Sequence, residues 1–227
     1  MIFCGVDCYS RGWLVLRCSF DRRGRMEIVA LEGHPGFASV VALPDRLIVV
    51  DIPIGLVSWP QDGPRTCDVE ARRLLCARGT SVFTAPTRAA LNVGTFSEAK
   101  AVGPMDLQTF GILRKVADVD GAMDPAMQSR VREGHPELSF REIANGGPPL
   151  RSKTSAEGRA QRGRLLSRLG LDVDGLLTRR PAGAAVDDVL DAAAMAWTAA
   201  RIGYGQARSI PVDAPHDEKG LRMEIWV

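Results

Sequence analysis

Long hydrophobic runs are missing from this chain. The longest, Leu47 to Val57, is interrupted by Asp51, and a bilayer-spanning helix needs roughly 20 apolar residues in succession, so no membrane span is expected. No sign of charge dominates either. Lys and Arg total 29 against 27 Asp and Glu, a formal net charge of +2, which excludes a uniformly basic coat for nucleic acid. The opening MIFCGVD has no basic region before its first acid, so no secretory signal is expected and the reading places the protein in the cytoplasm. Cysteine is scarce and odd in number: Cys4, Cys8, Cys18, Cys67 and Cys76, none spaced C-x-x-C, which supports neither a disulfide framework nor a zinc ribbon. Three of them fall in the first apolar segments, where a thiol behaves as a small hydrophobe. Free, mostly buried thiols are expected.

Several motifs of phosphate and acyl chemistry are missing too. There is no GxxxxGK[ST], no GxGxxG after a strand, no GxSxG and no HExxH, so P-loop, dinucleotide-binding, α/β-hydrolase and zincin chemistries have no sequence support. Ser152, Lys153 and Thr154 lack the Ser-x-x-Lys spacing of a penicillin-binding nucleophile.

What is present is an ordinary packed composition, 45% hydrophobic and 25% charged over 227 residues, which fits one enlarged domain spanning 1–227. IFCGVD and GWLVLRCSF read as a hairpin, Met26 to Leu31 as a third strand, and Gly36 to Leu43 as a short helix closed by Pro44. Leu47 to Val50 is a continuous apolar run, β-branched from Ile48 on, the pattern of a strand buried on both faces. Residues 59–127 alternate Pro/Gly turns with helical pieces, Asp68 to Arg78 and Leu107 to Val116, and are expected to form a helical insertion. Val131 to Phe140 reads as a strand that Pro136 ends or places at an edge. Residues 151–180 carry eight basic side chains against three acidic ones, a local basic patch. Ala185 to Gly203 is the clearest helix, acidic at its start and closed by glycine, and the tail GLRMEIWV reads as a last strand.

Four acidic positions stand out because each ends a predicted strand or opens a helix: Asp7, Asp51, Glu137, and the group Asp187, Asp188 and Asp191. An acid at the end of a buried strand is costly unless paired or bound to a cation. A helix N-terminus or an Arg partner is the structural alternative. If Asp7 and Asp51 end neighbouring parallel strands, they lie roughly 5 Å apart at the carboxyl edge where open α/β sheets bind ligands. Dipole capping accounts for Asp187 and Asp188 but less well for Asp191, beyond the first turn. In EGHPE, period-2 alternation puts Glu133, His135 and Glu137 on one side of the strand, a ligand or general-base arrangement, with a satisfied surface histidine as the alternative for His135.

The segments GVDCYSRGWLV, VVDIPIGL, CDVEARRLL, SVFTAPTRAAL, RKVADVD, EGHPELSF, SKT and DDVLDAAAMAWTAAR together resemble the DUF429 proteins, a family predicted to have a ribonuclease H-like fold and nuclease activity. The resemblance implies a mixed α/β sheet of three antiparallel strands extended by parallel ones and flanked by helices. It also implies metal ligands from Asp7, Asp51 and Asp188 or Asp191, holding two Mg²⁺ or Mn²⁺ ions roughly 4 Å apart for phosphodiester hydrolysis, with Glu137 as a further catalytic candidate. Cys8, Tyr9, Ser10 and Arg11 stand where a Gly-rich turn is common, and Lys153 stands alone where paired lysines are expected. Arg65, Arg72, Arg88, Lys115, Lys153 and Arg162 are the candidate contacts to a substrate, either nucleic acid or a small phosphoester. Two rivals remain open: a non-catalytic binding module with the same fold, and an actin-like phosphotransferase that binds ATP.

Overall fold

A computed structural model describes residues 1–227. Strands β1 (Phe3–Tyr9), β2 (Gly12–Phe20) and β3 (Met26–His34) form an antiparallel meander. After the short helix α1 (Phe37–Val41), β4 (Leu47–Val50) returns parallel to β1, and β5 (Val131–Glu133) adds parallel to β4, giving the order β3-β2-β1-β4-β5. This is the mixed sheet expected, three antiparallel strands extended by two parallel ones. Between β4 and β5 lie α2 (Thr66–Leu75), α3 (Phe96–Val102) and α4 (Leu107–Ala122) with intervening 3-10 turns. Then come α5 (Pro136–Ile143), α6 (Ala156–Arg168), α7 (Val173–Thr178) and α8 (Val186–Gly203), and finally β6 (Ser209–Ile210) and β7 (Ile225–Trp226), which pair in a separate two-stranded sheet. No helix is long and apolar enough to cross a membrane.

The period of two along the central strands divides the core between the sheet's faces. Phe3, Leu14, Leu16, Leu47 and Val49 join α6, α7 and α8 on one face, while Cys4, Val6, Val15, Ile48 and Val50 join α1 and α4 on the other. Asp7 and Asp51 continue the odd-numbered series of β1 and β4, so both belong to the α8 face. Helix α8 lies close against the sheet because β1 has no side chain at Gly5: a Cβ there would be 1.9 Å from the Ala192 carbonyl oxygen and 2.1 Å from the Ala196 nitrogen. The alanine-rich face of α8, Ala192, Ala193 and Ala196 among it, is fully buried.

One expected strand is corrected. Beyond Glu133 the chain turns into α5, with Pro136 in its first turn, where proline's missing N–H costs nothing. Period-2 alternation therefore does not carry through EGHPE. All five cysteines are free; Cys4, Cys18 and Cys67 are buried, Cys8 is half-buried and Cys76 exposed.

Candidate metal centre

Asp7 and Asp51 are neighbours because Val6 and Val50 pair in register and the Asp51 N–H donates to the Val6 carbonyl at 3.0 Å. Asp191 comes to them from α8, one residue before the Ala192 that packs on Gly5. Ligand oxygens of Asp7, Asp51 and Asp191 all lie within 4.8 Å of one another. An octahedral Mg²⁺ at about 2.1 Å from its oxygens sets neighbouring ligands about 3 Å apart and opposite ones about 4.2 Å apart, a spacing close to that of this set. Asp7 and Asp191 are buried and Asp51 is partly exposed. The Asp191 Oδ1 is buried without any hydrogen-bond partner, the state in which a carboxylate oxygen is costly unless a cation meets it. The residues therefore fit a hard, oxygen-seeking cation.

The electrostatics agree with the crowding. Burial, with the charges of Asp51 and Asp191 beside it, holds the Asp7 carboxyl well above the usual carboxylate range. Burial pushes Asp51 up to about 6 against the opposing pull of Lys153, and does the same for Asp191. Lys153 is the one cation at the cluster, its Nζ 2.6 Å from the Asp191 Oδ2. Burial alone would favour its neutral form, but the carboxylates of Asp191, Asp51 and Asp7 outweigh that and raise its pKa.

Asp188 is half-buried and its Oδ2 accepts the Ala185 N–H at 2.7 Å, reaching back to cap α8. Of the two α8 candidates, Asp191 joins the tight carboxylate cluster, while Asp188 lines the same cavity with its Oδ2 engaged in capping α8, as suits a first-turn acid. Glu133 lies on the wrong face: its register partner is Val50, which belongs to the α4 face. It meets Arg65 and the Ile54 N–H instead. Glu137 lines the cavity above the three carboxylates but is committed to Arg78 at 3.1 Å and to Arg162. His135 lines the same cavity with an unpartnered buried Nδ1, and burial lowers its pKa.

Most of the cations expected to meet a substrate are spent on the fold. Arg65, only 2% exposed, clamps Asp68 and Glu133, and Arg162, fully buried, pairs with Glu137. Arg72 binds the Val82 carbonyl at 3.0 Å and the Thr84 hydroxyl at 2.9 Å. Arg88 holds Asp120, Asp217 and Glu218. Lys115 donates to the Gly12 carbonyl at 2.7 Å over the Trp13 ring. Of the six, only Lys153 lines the cavity with the carboxylates, and the second cation there is Arg78. Sequence reasoning put Arg78 at the end of a helix running from Asp68. Instead α2 stops at Leu75, Cys76 takes φ 48°, and a 3-10 turn over Cys76–Ser81 brings Arg78 to the cavity. The signal was Gly79, where a Cβ would come 2.8 Å from the Arg72 carbonyl oxygen: a glycine that marks a tight turn, not the end of a straight helix.

No curated protein and no solved structure matches the chain. One family model does, described as "Protein of unknown function (DUF429)", and its match over residues 5–216 takes in every acid of the cluster. The chain belongs to the DUF429 family.

Proposed function

We propose that this protein is a metal-dependent phosphodiesterase, a nuclease of the ribonuclease H-like class, with Asp7, Asp51 and Asp191 as its metal ligands. One observation carries the reading: three carboxylates from β1, the end of β4 and α8 converge within 4.8 Å, with a buried oxygen of Asp191 left unpaired. The strand order of the sheet supports it. The all-oxygen donor set suits Mg²⁺ or Mn²⁺, which when bound supplies Lewis acidity toward a phosphoryl oxygen and lowers the pKa of a water ligand. The chain's residues divide the remaining work. Gly5 sets the spacing between β1 and α8, Asp188 fixes the start of α8, and Lys153 offsets part of the negative charge so that the cluster is stable before a cation arrives. Glu137, held between Arg78 and Arg162, fixes the wall of the cavity and orients Arg78.

The ion pair of Lys153 and Asp191 at 2.6 Å favours a second reading, a binding module whose acids are ion-pair structure. Titrating Mn²⁺ into wild type and Asp51→Asn by calorimetry, alongside cleavage of single-stranded, duplex and hybrid substrates, separates the two. The enzyme reading expects Mn²⁺ binding and Mn²⁺-dependent cleavage in wild type, both lost in Asp51→Asn. Cleavage unchanged in Asp51→Asn, or no Mn²⁺ binding by wild type, overturns it.

A further inference from the structure

The protein has six buried side-chain polar atoms without a hydrogen-bond partner, and three of them belong to residues that line one cavity: Asp191 Oδ1, His135 Nδ1 and Arg78 Nε. Buried polar groups are normally satisfied, so this concentration marks the place where the folded chain is still waiting for a ligand. The unpaired atoms differ in kind. Asp191 offers an acceptor beside two further carboxylates, whereas Arg78 offers a donor that no protein acceptor takes up. Its Nη2 is held 3.1 Å from Glu137, and its Nε is buried without a partner. A partly exposed guanidinium that lines the cavity and spends only its Nη2 on a protein partner is suited to a planar-forked grip on phosphate.

The size and lining of the cavity narrow the ligand further. Its volume is about 340 Å³, at the low end of the range for sites that enclose one small molecule. Only Arg78 and Lys153 supply lasting positive charge to it, and Lys153 is engaged with Asp191. Tight binding to a duplex rests on neutralising many phosphates, which two cations cannot do. The basic residues Arg159 and Arg164 border a separate groove between α6, α7 and α8, and Arg162 is buried. The wall of the carboxylate cavity also carries Phe83 and Ile112 beside the hydroxyls of Thr80 and Ser81, an aromatic and apolar surface next to polar groups, as a base and sugar require.

We propose that the cavity takes a single phosphate-bearing unit of nucleotide size, gripped through its phosphate by Arg78, so that the substrate is a small phosphodiester or a strand end and not a continuous duplex. This rests on the phosphodiesterase reading for its chemistry, but the pocket can be tested apart from cleavage. Adenosine 5′-monophosphate is a monoester that a phosphodiesterase does not consume. It would be titrated calorimetrically into Mn²⁺-loaded wild type, Arg78→Gln and Arg78→Lys, with a 20-base-pair duplex as competitor and a p-nitrophenyl nucleotide diester as the cleavage substrate. The expected result is saturable one-to-one binding of the monophosphate, at least about tenfold weaker in Arg78→Gln and intermediate in Arg78→Lys, which keeps the charge and the Glu137 pair but has no Nε–H. Equal affinity in wild type and Arg78→Lys, together with equal affinity in Arg78→Gln, overturns the role of Arg78. A monophosphate that fails to bind, or that the duplex displaces at equal phosphate concentration, overturns the small-unit substrate. Monophosphate binding that depends on Arg78 without any Mn²⁺-dependent diester cleavage leaves the pocket standing and removes the phosphodiesterase reading. Cleavage that is indifferent to Arg78 does the reverse.

Discussion

Two clusters of buried charge occupy the carboxyl edge of the sheet, on opposite faces and one strand apart. On the α4 side, Arg65 meets Asp68 and Glu133 with two contacts to each carboxylate, and its Nη1 also reaches the carbonyls of Ile54 and Gly55. No side-chain nitrogen or oxygen of these three residues lacks a partner. On the α8 side, Asp7, Asp51 and Asp191 share one ammonium, Lys153, and an Asp191 oxygen is left bare. The first cluster is closed and rigid: it clamps the chain just after Asp51, since Glu133 also accepts the Ile54 N–H at 2.7 Å. The second is short of positive charge. Buried polar networks specify structure when every member is satisfied and are costly when they are not, so the closed cluster belongs to the fold, while the open one has the unmet charge that the proposed metal would balance.

The largest effect on this contrast should come from opening the closed cluster. Burial already pushes Glu133 up to about 7 against the opposing charge of Arg65. Arg65→Ala would leave Asp68 and Glu133 facing each other in a dry pocket, and breaking a buried pair by removing one partner costs about 3–5 kcal/mol. At roughly 2–4 °C per kcal/mol for a chain of this length, the melting temperature should fall by about 10 °C. Calorimetric unfolding checks it, and a fall of under about 2 °C would show that Arg65 is no clamp.

A smaller effect should follow from pushing the open cluster apart. Gly5→Ala sets a Cβ 1.9 Å from the Ala192 oxygen, so α8 must move away from β1 and carry Asp191 with it. Overpacking of this kind costs about 1–3 kcal/mol. The distinguishing outcome is a loss of Mn²⁺ affinity larger than the loss of stability would explain, measured by titration below the melting transition. An unchanged Mn²⁺ affinity would separate the metal site from the β1–α8 contact.

How much of this was readable beforehand depends on how locally each feature is determined. The strands β1, β2 and β4 and the helix α8 follow from apolar runs, period and end residues, and Asp7 and Asp51 were placed at strand ends by the same patterns. Helix α5 was misread because alternation in EGHPELSF mimics a strand, although Pro136 followed by Glu137 is also a helix start. The basic residues could not be sorted by sequence for a different reason. Arg65 and Arg162 look in sequence like any surface cation, and only the folded chain reveals that Glu133 and Glu137 already hold them. Arg78 was concealed by a helix that ended three residues sooner than its pattern suggested. Partners remote in sequence decide which charge is free, and composition carries no information about them.

The finest probe of the comparison reverses the usual sign of a mutation. In the closed cluster every side-chain nitrogen and oxygen has a partner, so removing one group destabilises; in the open cluster three carboxylates share one ammonium and an oxygen is unpaired, so removing one carboxylate should stabilise the metal-free protein. Asp51 and Asp191 are raised to about 6 in the folded chain, above roughly 3.9 for an unfolded aspartate. Between those values the folded state holds more protons than the unfolded one, and stability falls as pH rises through that window. Their favourable share is thus fully present below about pH 4 and gone above about pH 6. Asp51→Asn removes that titration with little change in volume. At pH 7, in the presence of a chelator, its melting temperature should exceed that of wild type by a few degrees on the order expected for relieving one buried like-charge contact, and the gap should shrink toward pH 4. Adding Mn²⁺ should invert the order, because only wild type gains stability from a bound ion. A lower melting temperature for Asp51→Asn at pH 7 without metal would mean that Lys153 already balances the carboxylates, and the two clusters would then be alike.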